Sequence, residues 1–596
     1  MKRSRHQLAL ILLLVASCAA ASGQTRYTVS LADRERHLLR VVLKPAPQPD
    51  LQVQLPVWYA LYEVRDFSQY VRWVQARDAS GNAVEVRKLD KTTWSAPNAA
   101  EIEYEIAAEL PPPFGAQANA EHVFLNPAEV LIYAVGQREQ PIEVQFQGVP
   151  ANWRIATALA QVANTTAAYS AKNYDQLADS PLEIGTFQET SFDQDGMHYS
   201  VVVDADPGDY DLKAIAEMDR KIAAAETAWM DDRPFDHYVF IYHFPRGRAG
   251  GGMEHAYSTA ISHSGLRLKD EMQMLASTTA HELFHAWNVK RIRPQSLEPI
   301  DYTRENYTPA LWFSEGVTST VADFIMVRAG MMDEDGFLRR LARQIQAVED
   351  SPAHLTQSPE ESSLDTWLEK YPYYNRPDRS VSYYASGEIR GMLLDLAIRE
   401  ATNGRQSLRD VFHWMNGQYA RQGRFFPDSA GVRQAAEAVS HADLKSFFED
   451  YVAGVKEPPY DRYFATVGLK LQQKTVNVPD AGFTVAQNFG QAPVVVTLDP
   501  NSDAARAGVA SGDIVQQLNG QPVEGSFERL MARMQIGDSV RLRVSRRGGS
   551  REVTFKLGGR EEEQYALVDA DNVTRGQRRR RSAWIRGESE PPTAQP

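Results

Sequence analysis

Two histidines four residues apart, His281 and His285, fall on one face of a helix, where their imidazoles can converge on a single metal ion. Glu282, inside His281-Glu282-Leu283-Phe284-His285, is placed to take a proton from a metal-activated water. A catalytic zinc needs a third protein ligand and an open position. A second helical stretch at 310–327 offers Glu315, in Trp312-Phe313-Ser314-Glu315-Gly316. The arrangement predicts hydrolysis at one Zn2+ per chain, held by His281, His285 and Glu315, with Glu282 as general base. A structural zinc would close its coordination with a fourth protein ligand and would have no use for Glu282.

The elements that position these residues follow from hydrophobic periodicity. Residues 27–179 favour strands, with β-branched or aromatic runs at 38–43, 53–58 and 142–146 between Pro and Gly clusters. Helical periodicity takes over at 212–229 and again at 271–289, ending before Pro294. A later helix carries Ile389, Met392, Leu393, Leu396 and Ala397 on one face, with Asn403-Gly404 as its stop and Ser407 opening the next. Helices continue to about 455, and strands with Gly-rich turns return after Pro458-Pro459.

A chain of 596 residues is too long for one hydrophobic core, and 43% hydrophobic with 24% charged residues is an ordinary globular composition. The formal net charge of -13 leaves no electrostatic footprint for nucleic acid. Lys2, Arg3 and Arg5 before the apolar run 8–16 read as an export signal, too short to span a bilayer. Val15-Ala16-Ser17-Cys18 resembles a bacterial lipobox, in which Cys18 would carry a lipid anchor; the alternative is ordinary signal cleavage near Gly23. The protein is therefore expected outside the cytoplasm: periplasmic, tethered to the outer membrane, or secreted. Cys18 is the one cysteine, so disulfides contribute nothing to the fold. The segment 561–596, with Arg578-Arg579-Arg580-Arg581 and a Pro-rich end, reads as a charged, solvated tail.

Taken with Trp312 to Gly316, the histidine motif resembles the gluzincin metallopeptidases, the thermolysin and aminopeptidase N clan. More narrowly, the chain is similar to the glycyl aminopeptidases, through 174–185, Gly251-Gly252-Met253-Glu254-His255, 281–294, 312–318 and 382–387. That resemblance implies a multidomain α+β fold: a β-rich N-terminal domain (24–185, after a signal at 1–23), a thermolysin-like α/β catalytic domain (186–335), a helical part (336–460), a PDZ domain (461–560) and the tail. It also implies an aminopeptidase acting on peptides with a free N-terminus, with small first residues, glycine or alanine, preferred. Gly251, Gly252, Met253 and Glu254 match the exopeptidase motif, in which the acid binds the substrate's α-amino group, although His255 stands where aminopeptidase N relatives carry Asn. Tyr384-Ala385-Ser386-Gly387 resembles the Tyr-x-Lys-Gly segment whose tyrosine stabilises the oxyanion; Ser386 replaces the lysine, and Tyr383 is the alternative donor.

Three further expectations attach to the motif region and the C-terminal module. Asn288 could orient a metal ligand, while Lys290, Arg291 and Arg293 could meet a peptide carboxylate or form a solvated helix end. Asp323 is placed to hydrogen-bond a zinc histidine. Residues 502–509, Gly512-Asp513-Ile514-Val515 and Leu518-Asn519-Gly520 resemble a PDZ domain of bacterial proteases, with Gly482-Phe483-Thr484-Val485 as its carboxylate loop. Such a domain either adds a peptide C-terminus or strand to its sheet edge or is purely structural. The competing functions are a PDZ-assisted endopeptidase acting on unfolded chains and a PDZ binding protein with a non-catalytic zinc.

Overall fold

The structure is a computed structural model that describes residues 24–590, apart from residues 60, 248, 487–491, 524–526, 532 and 547–548. The export signal and Cys18 lie outside the described residues. No helix among the described residues is long and apolar enough to cross a membrane.

The strand-rich N-terminal half forms an eight-stranded sheet and two four-stranded sheets. Alternating burial along Thr25–Ser30 and Ile142–Gln147, which pair in parallel, puts Tyr27, Val29, Val144 and Phe146 inside. The core does not stop at the boundary expected near 185. Met253, Val289, Leu311 and Tyr383 are buried in one apolar cluster with these strands, so the N-terminal, catalytic and helical regions form one compact unit. Pattern alone separates them because a shared core carries no local mark in the sequence.

The catalytic part starts from a five-stranded sheet in which Met197–Ala205, His237–Phe244 and Ser258–Ser262 run parallel. The helix Leu212–Met230 is the crossover; Asp211 caps it, accepting from the backbone of Lys213 and Ala214. On the sheet edge Gly252–Glu254 pairs antiparallel with Ser258–Ser262. The helix Leu268–Phe284 ends five residues before the predicted 289, and His285 is already its cap. The helix Tyr383–Thr402 ends at Asn403 in the left-handed region, as the sequence predicts, and Ser407 with Asp410 caps Leu408–Gln418.

From Ala570 onward the expected solvated tail is instead part of this fold. Arg575–Trp584 is a helix capped by Thr574 and Gln577. Trp584 is fully buried, its ring 5.3 Å from Phe337 and 6.2 Å from Phe464. Arg581 donates to the carbonyls of Val467 and Gly468, and Arg579 and Arg580 pair with Glu590. The arginine run suggested solvation, but the charges of Arg579, Arg580 and Arg581 are matched by these acceptors and the helix is anchored by one tryptophan.

Lys470–Asp569 is the second compact unit. Its sheet runs in the order Phe483–Ala486, Val494–Leu498, Ile514–Leu518, Ser539–Arg546, Gly549–Lys556, with the short strand Gln521–Pro522 off Ile514–Leu518. Its own core includes Phe483, Val495, Val515, Phe527, Val540 and Phe555.

Candidate active site

His281 sits on the last turn of the motif helix and His285 at its cap. Beyond His285 the chain turns back, so that the Asn288 carbonyl accepts from His285 Nδ1 at 2.6 Å. This fixes the proton on Nδ1 and leaves Nε2 facing Glu315 Oε2 at 3.4 Å. Asn288 thus orients His285, a candidate ligand, but through its backbone. Its side-chain amide is spent on Phe313 O and Thr318 Oγ1.

Glu315 lies in a π-helical turn, Trp312–Val317, that leads into the helix Thr318–Arg328. Wide turns of this kind re-aim a side chain within an otherwise regular helix. The turn crosses the helix Tyr383–Thr402 at Gly316 and Gly387: a Cβ on Gly316 would strike the Gly387 backbone, and one on Gly387 would strike the Trp312 carbonyl. These two glycines let the turn that carries Glu315 and the helix that carries Tyr384 approach each other at backbone distance. Glu315 Oε2 is 2.9 Å from His281 Nε2. Burial works against its charge, yet His285 and the hydrogen bonds from both histidines hold its carboxyl well below the usual range.

The three donors fit a zinc ion. Bonds of about 2.0–2.1 Å in tetrahedral geometry put ligand atoms roughly 3.3 Å apart, close to the separations seen here. His281 Nδ1 is 3.2 Å from Ser319 Oγ, one turn after Glu315. Asp323, a further turn along, does not reach a histidine; it is ion-paired with Arg340 at 2.6 Å. The helix phase that brings Ser319 to His281 carries Asp323 to the neighbouring helix.

Glu282 faces a cavity of about 850 Å³ also lined by Tyr62, Phe114, Glu254, His281 and Tyr384. Burial pushes its carboxyl well up, with Glu254 and Glu315 adding to the effect and His285 opposing it. The edge strand presses against it: any Cβ at Gly252 would collide with the Glu282 side chain. Gly251 takes φ +102 and passes beside the Phe114 ring. Met253 is buried in the core shared with the N-terminal sheets. Carboxylate oxygens of Glu254 and Glu282 and a nitrogen of His285 lie within 4.8 Å of one another. Glu63 and Glu369 line the same cavity; burial pushes Glu369 up to about 7, with Glu63 and Glu315 adding to it.

The two adjacent tyrosines have different surroundings. Tyr383 is 1% exposed and its hydroxyl is shared with Thr366 at 3.1 Å, whereas Tyr384 is 38% exposed. The Tyr384 ring lies 5.9 Å from that of His281, and among the described residues its hydroxyl has no hydrogen-bond partner.

Sequence reasoning missed Tyr62. Its hydroxyl donates to Glu254 Oε1 at 2.9 Å and also contacts Glu315 Oε1, bridging the edge strand and the ligand turn. Lys290, Arg291 and Arg293 do not meet the cavity. They are paired with Asp179, Asp232 and Glu298. His255 is likewise engaged, between Tyr59 at 2.8 Å and Asp179 at 3.1 Å.

Residues 274–389 match the family described as M61 glycyl aminopeptidase, and residues 26–186 match the peptidase M61 N-terminal domain. Among solved structures, an aminopeptidase N family protein from Idiomarina loihiensis superposes with a TM-score of 0.79 at 24% identity, covering 94% of this chain and 100% of that one. Its likeness establishes the fold. Over 80 residues the chain is 39% identical to a probable periplasmic serine endoprotease DegP-like of Halomonas elongata, 12% of this chain and 17% of that one. The periplasmic serine endoprotease DegP of Salmonella typhimurium is 35% identical over 80 residues, 13% and 16% of the two chains. The chain thus spans about a sixth of the length of the curated relatives it matches.

Proposed function

This chain belongs to the M61 glycyl aminopeptidase family and is a zinc metallopeptidase; on that premise we propose that it removes single small residues, glycine or alanine, from free peptide N-termini. The position of Glu254 carries the reading. In an amino-terminal residue the carbonyl carbon is roughly 2.5 Å from the ammonium nitrogen. An ammonium held by Glu254, one of whose oxygens lies within 4.8 Å of a Glu282 oxygen and of a His285 nitrogen, leaves room for one residue before the cleaved bond.

His281, His285 and Glu315 would hold zinc, which when bound polarises the scissile carbonyl and lowers the pKa of the attacking water. Glu282 takes that water's proton as the C–O bond forms, then gives it to the leaving nitrogen as the C–N bond breaks. Tyr384, with its hydroxyl uncommitted, donates to the carbonyl oxygen as it becomes anionic. Tyr384→Phe is expected to lower kcat roughly 10²–10³-fold with metal content unchanged. An unchanged kcat would move the role to Tyr383.

A panel of free and N-acetylated peptides differing in the first residue, run with and without a chelator, tests the whole reading. Free Gly- and Ala-peptides should be cleaved fastest, acetylated ones barely, and none once the metal is stripped. Comparable cleavage of acetylated peptides would make the enzyme an endopeptidase.

We read Lys470–Asp569 as a PDZ domain, on its antiparallel sheet with two short helices and the PDZ-like run from Ser502 to Gly520, and place the protein outside the cytoplasm, a reading supported by the likeness of an 80-residue stretch to periplasmic DegP-type proteins. Within the remaining body Ala570 N donates to Gly468 O at 3.0 Å, so the unit can be excised and its flanks joined. Excision is expected to slow cleavage of long chains more than of dipeptides, as a peptide-recruiting domain requires. Equal losses would argue for a structural role, and recovery of the expressed protein from the cytoplasmic fraction would overturn the placement.

A further inference from the structure

Four side chains away from the catalytic cluster meet in a second metal-ligating constellation: His122, Glu183, Asp204 and His243. They come from two different sheets. His122 and Glu183 lie on the adjoining strands His122–Leu125 and Leu182–Gly185, while Asp204 and His243 are direct partners across the parallel pair Met197–Ala205 and His237–Phe244. Beneath them an apolar cluster that includes Phe124, Phe187, Val202 and Ile241 packs the two sheets together.

The separations bring the donor atoms within reach of one ion. His122 Nδ1 is 3.0 Å from Glu183 Oε1 and 3.3 Å from Asp204 Oδ2, and His243 Nε2 is 2.9 Å from Glu183 Oε2. One donor atom from each of the four residues lies within 4.8 Å of the others. Tetrahedral zinc with bonds of about 2.0–2.2 Å separates its ligand atoms by roughly 3.3–3.5 Å, and the catalytic trio shows 2.9 and 3.4 Å.

Orientation and charge agree with that spacing. His122 Nε2 is 3.1 Å from Gln117 Oε1, an acceptor, so this nitrogen carries a proton and Nδ1 is the atom turned toward the carboxylates. A metal-bound histidine is typically oriented in this way by an acceptor on its far nitrogen. Gly185, opposite His122, leaves the room: a Cβ there would lie 3.1 Å from His122 Cβ and 3.4 Å from Glu183 Oε1. Glu183 is completely buried and Asp204 partly so; without an ion the cluster's charge is met by a proton on His122, whose imidazole, against the effect of burial, Glu183 and Asp204 push up to about 9. A divalent cation would take that proton's place between the histidines and the carboxylates.

We propose that His122, Glu183, Asp204 and His243 bind a second, structural zinc ion that cross-links the two sheets. Four protein donors close the coordination sphere, which leaves no position for water or substrate and sets this site apart from the catalytic one. The chain then carries two zinc ions, not the one its histidine motif predicts.

The test removes the catalytic ligands first. A His281→Ala/His285→Ala protein, loaded with zinc and desalted, should keep one zinc per chain by elemental analysis. It should also melt at a higher temperature with that zinc than after chelation. Adding His243→Ala, or separately the milder Asp204→Asn, should lower the retained zinc to near zero, with circular dichroism reporting the fold. A zinc-free His281→Ala/His285→Ala protein would overturn the proposal and leave a proton-bound His-Glu-His network. So would an equivalent of zinc that survives both added substitutions.

Discussion

A Glu282→Gln enzyme is expected to hold its metal as the parent does and to turn over free Gly- and Ala-peptides roughly 10²–10⁴ times more slowly. Glutamine keeps the volume and shape of the side chain, which matters because Gly252 packs directly against it. The three donors expected to bind the metal, His281, His285 and Glu315, are untouched. What is lost is the basic oxygen. An amide can hydrogen-bond the attacking water but cannot take its proton or return it to the leaving nitrogen. The loss should therefore fall on kcat, with KM little changed, because the proposed ammonium contact to Glu254 would remain. Metal content, kcat and KM measured on the same preparation check this, and a variant keeping a tenth or more of the parental kcat would remove Glu282 from the proton transfers.

The part of this site that is legible in the sequence is the part held by local geometry. A four-residue histidine spacing is meaningful because a helix repeats every 3.6 residues, and Glu315 is found because its own stretch is helical. Tyr62 is not legible in this way. It reaches Glu254 and Glu315 across sequence separations of 192 and 253 residues, on a short hairpin that carries no motif. Phe114 enters the cavity from the same N-terminal region for the same reason. Asp323 shows the opposite error: it is on the expected helix, but one turn too far, and the exact phase decides whether Ser319 or Asp323 faces His281. The basic residues after the motif read as available cations because sequence does not reveal that Asp179, Asp232 and Glu298 have come to meet them.

Glu254→Ala is expected to separate the two kinds of substrate. Truncating one partner of a buried, hydrogen-bonded charge pair costs about 2–5 kcal/mol, or roughly 30- to several-thousand-fold in kcat/KM for a free peptide. An N-acetylated peptide has no ammonium to lose, so its slow cleavage should change little. The prediction discriminates because Glu254 also has a structural partner, the Tyr62 hydroxyl, which in turn contacts Glu315. If Glu254 served only to hold Tyr62 and the ligand turn in place, its removal would disturb Glu315 and slow both substrates alike. Tyr62→Phe supplies the control, since it cuts the bridge while leaving the Glu254 carboxylate in the cavity. A loss confined to free peptides in Glu254→Ala, with Tyr62→Phe slowing free and acetylated peptides by a similar factor, assigns the carboxylate to the substrate ammonium and the hydroxyl to positioning. Equal losses on both substrates in Glu254→Ala would withdraw the aminopeptidase reading while leaving the metal-dependent chemistry at Glu282 intact.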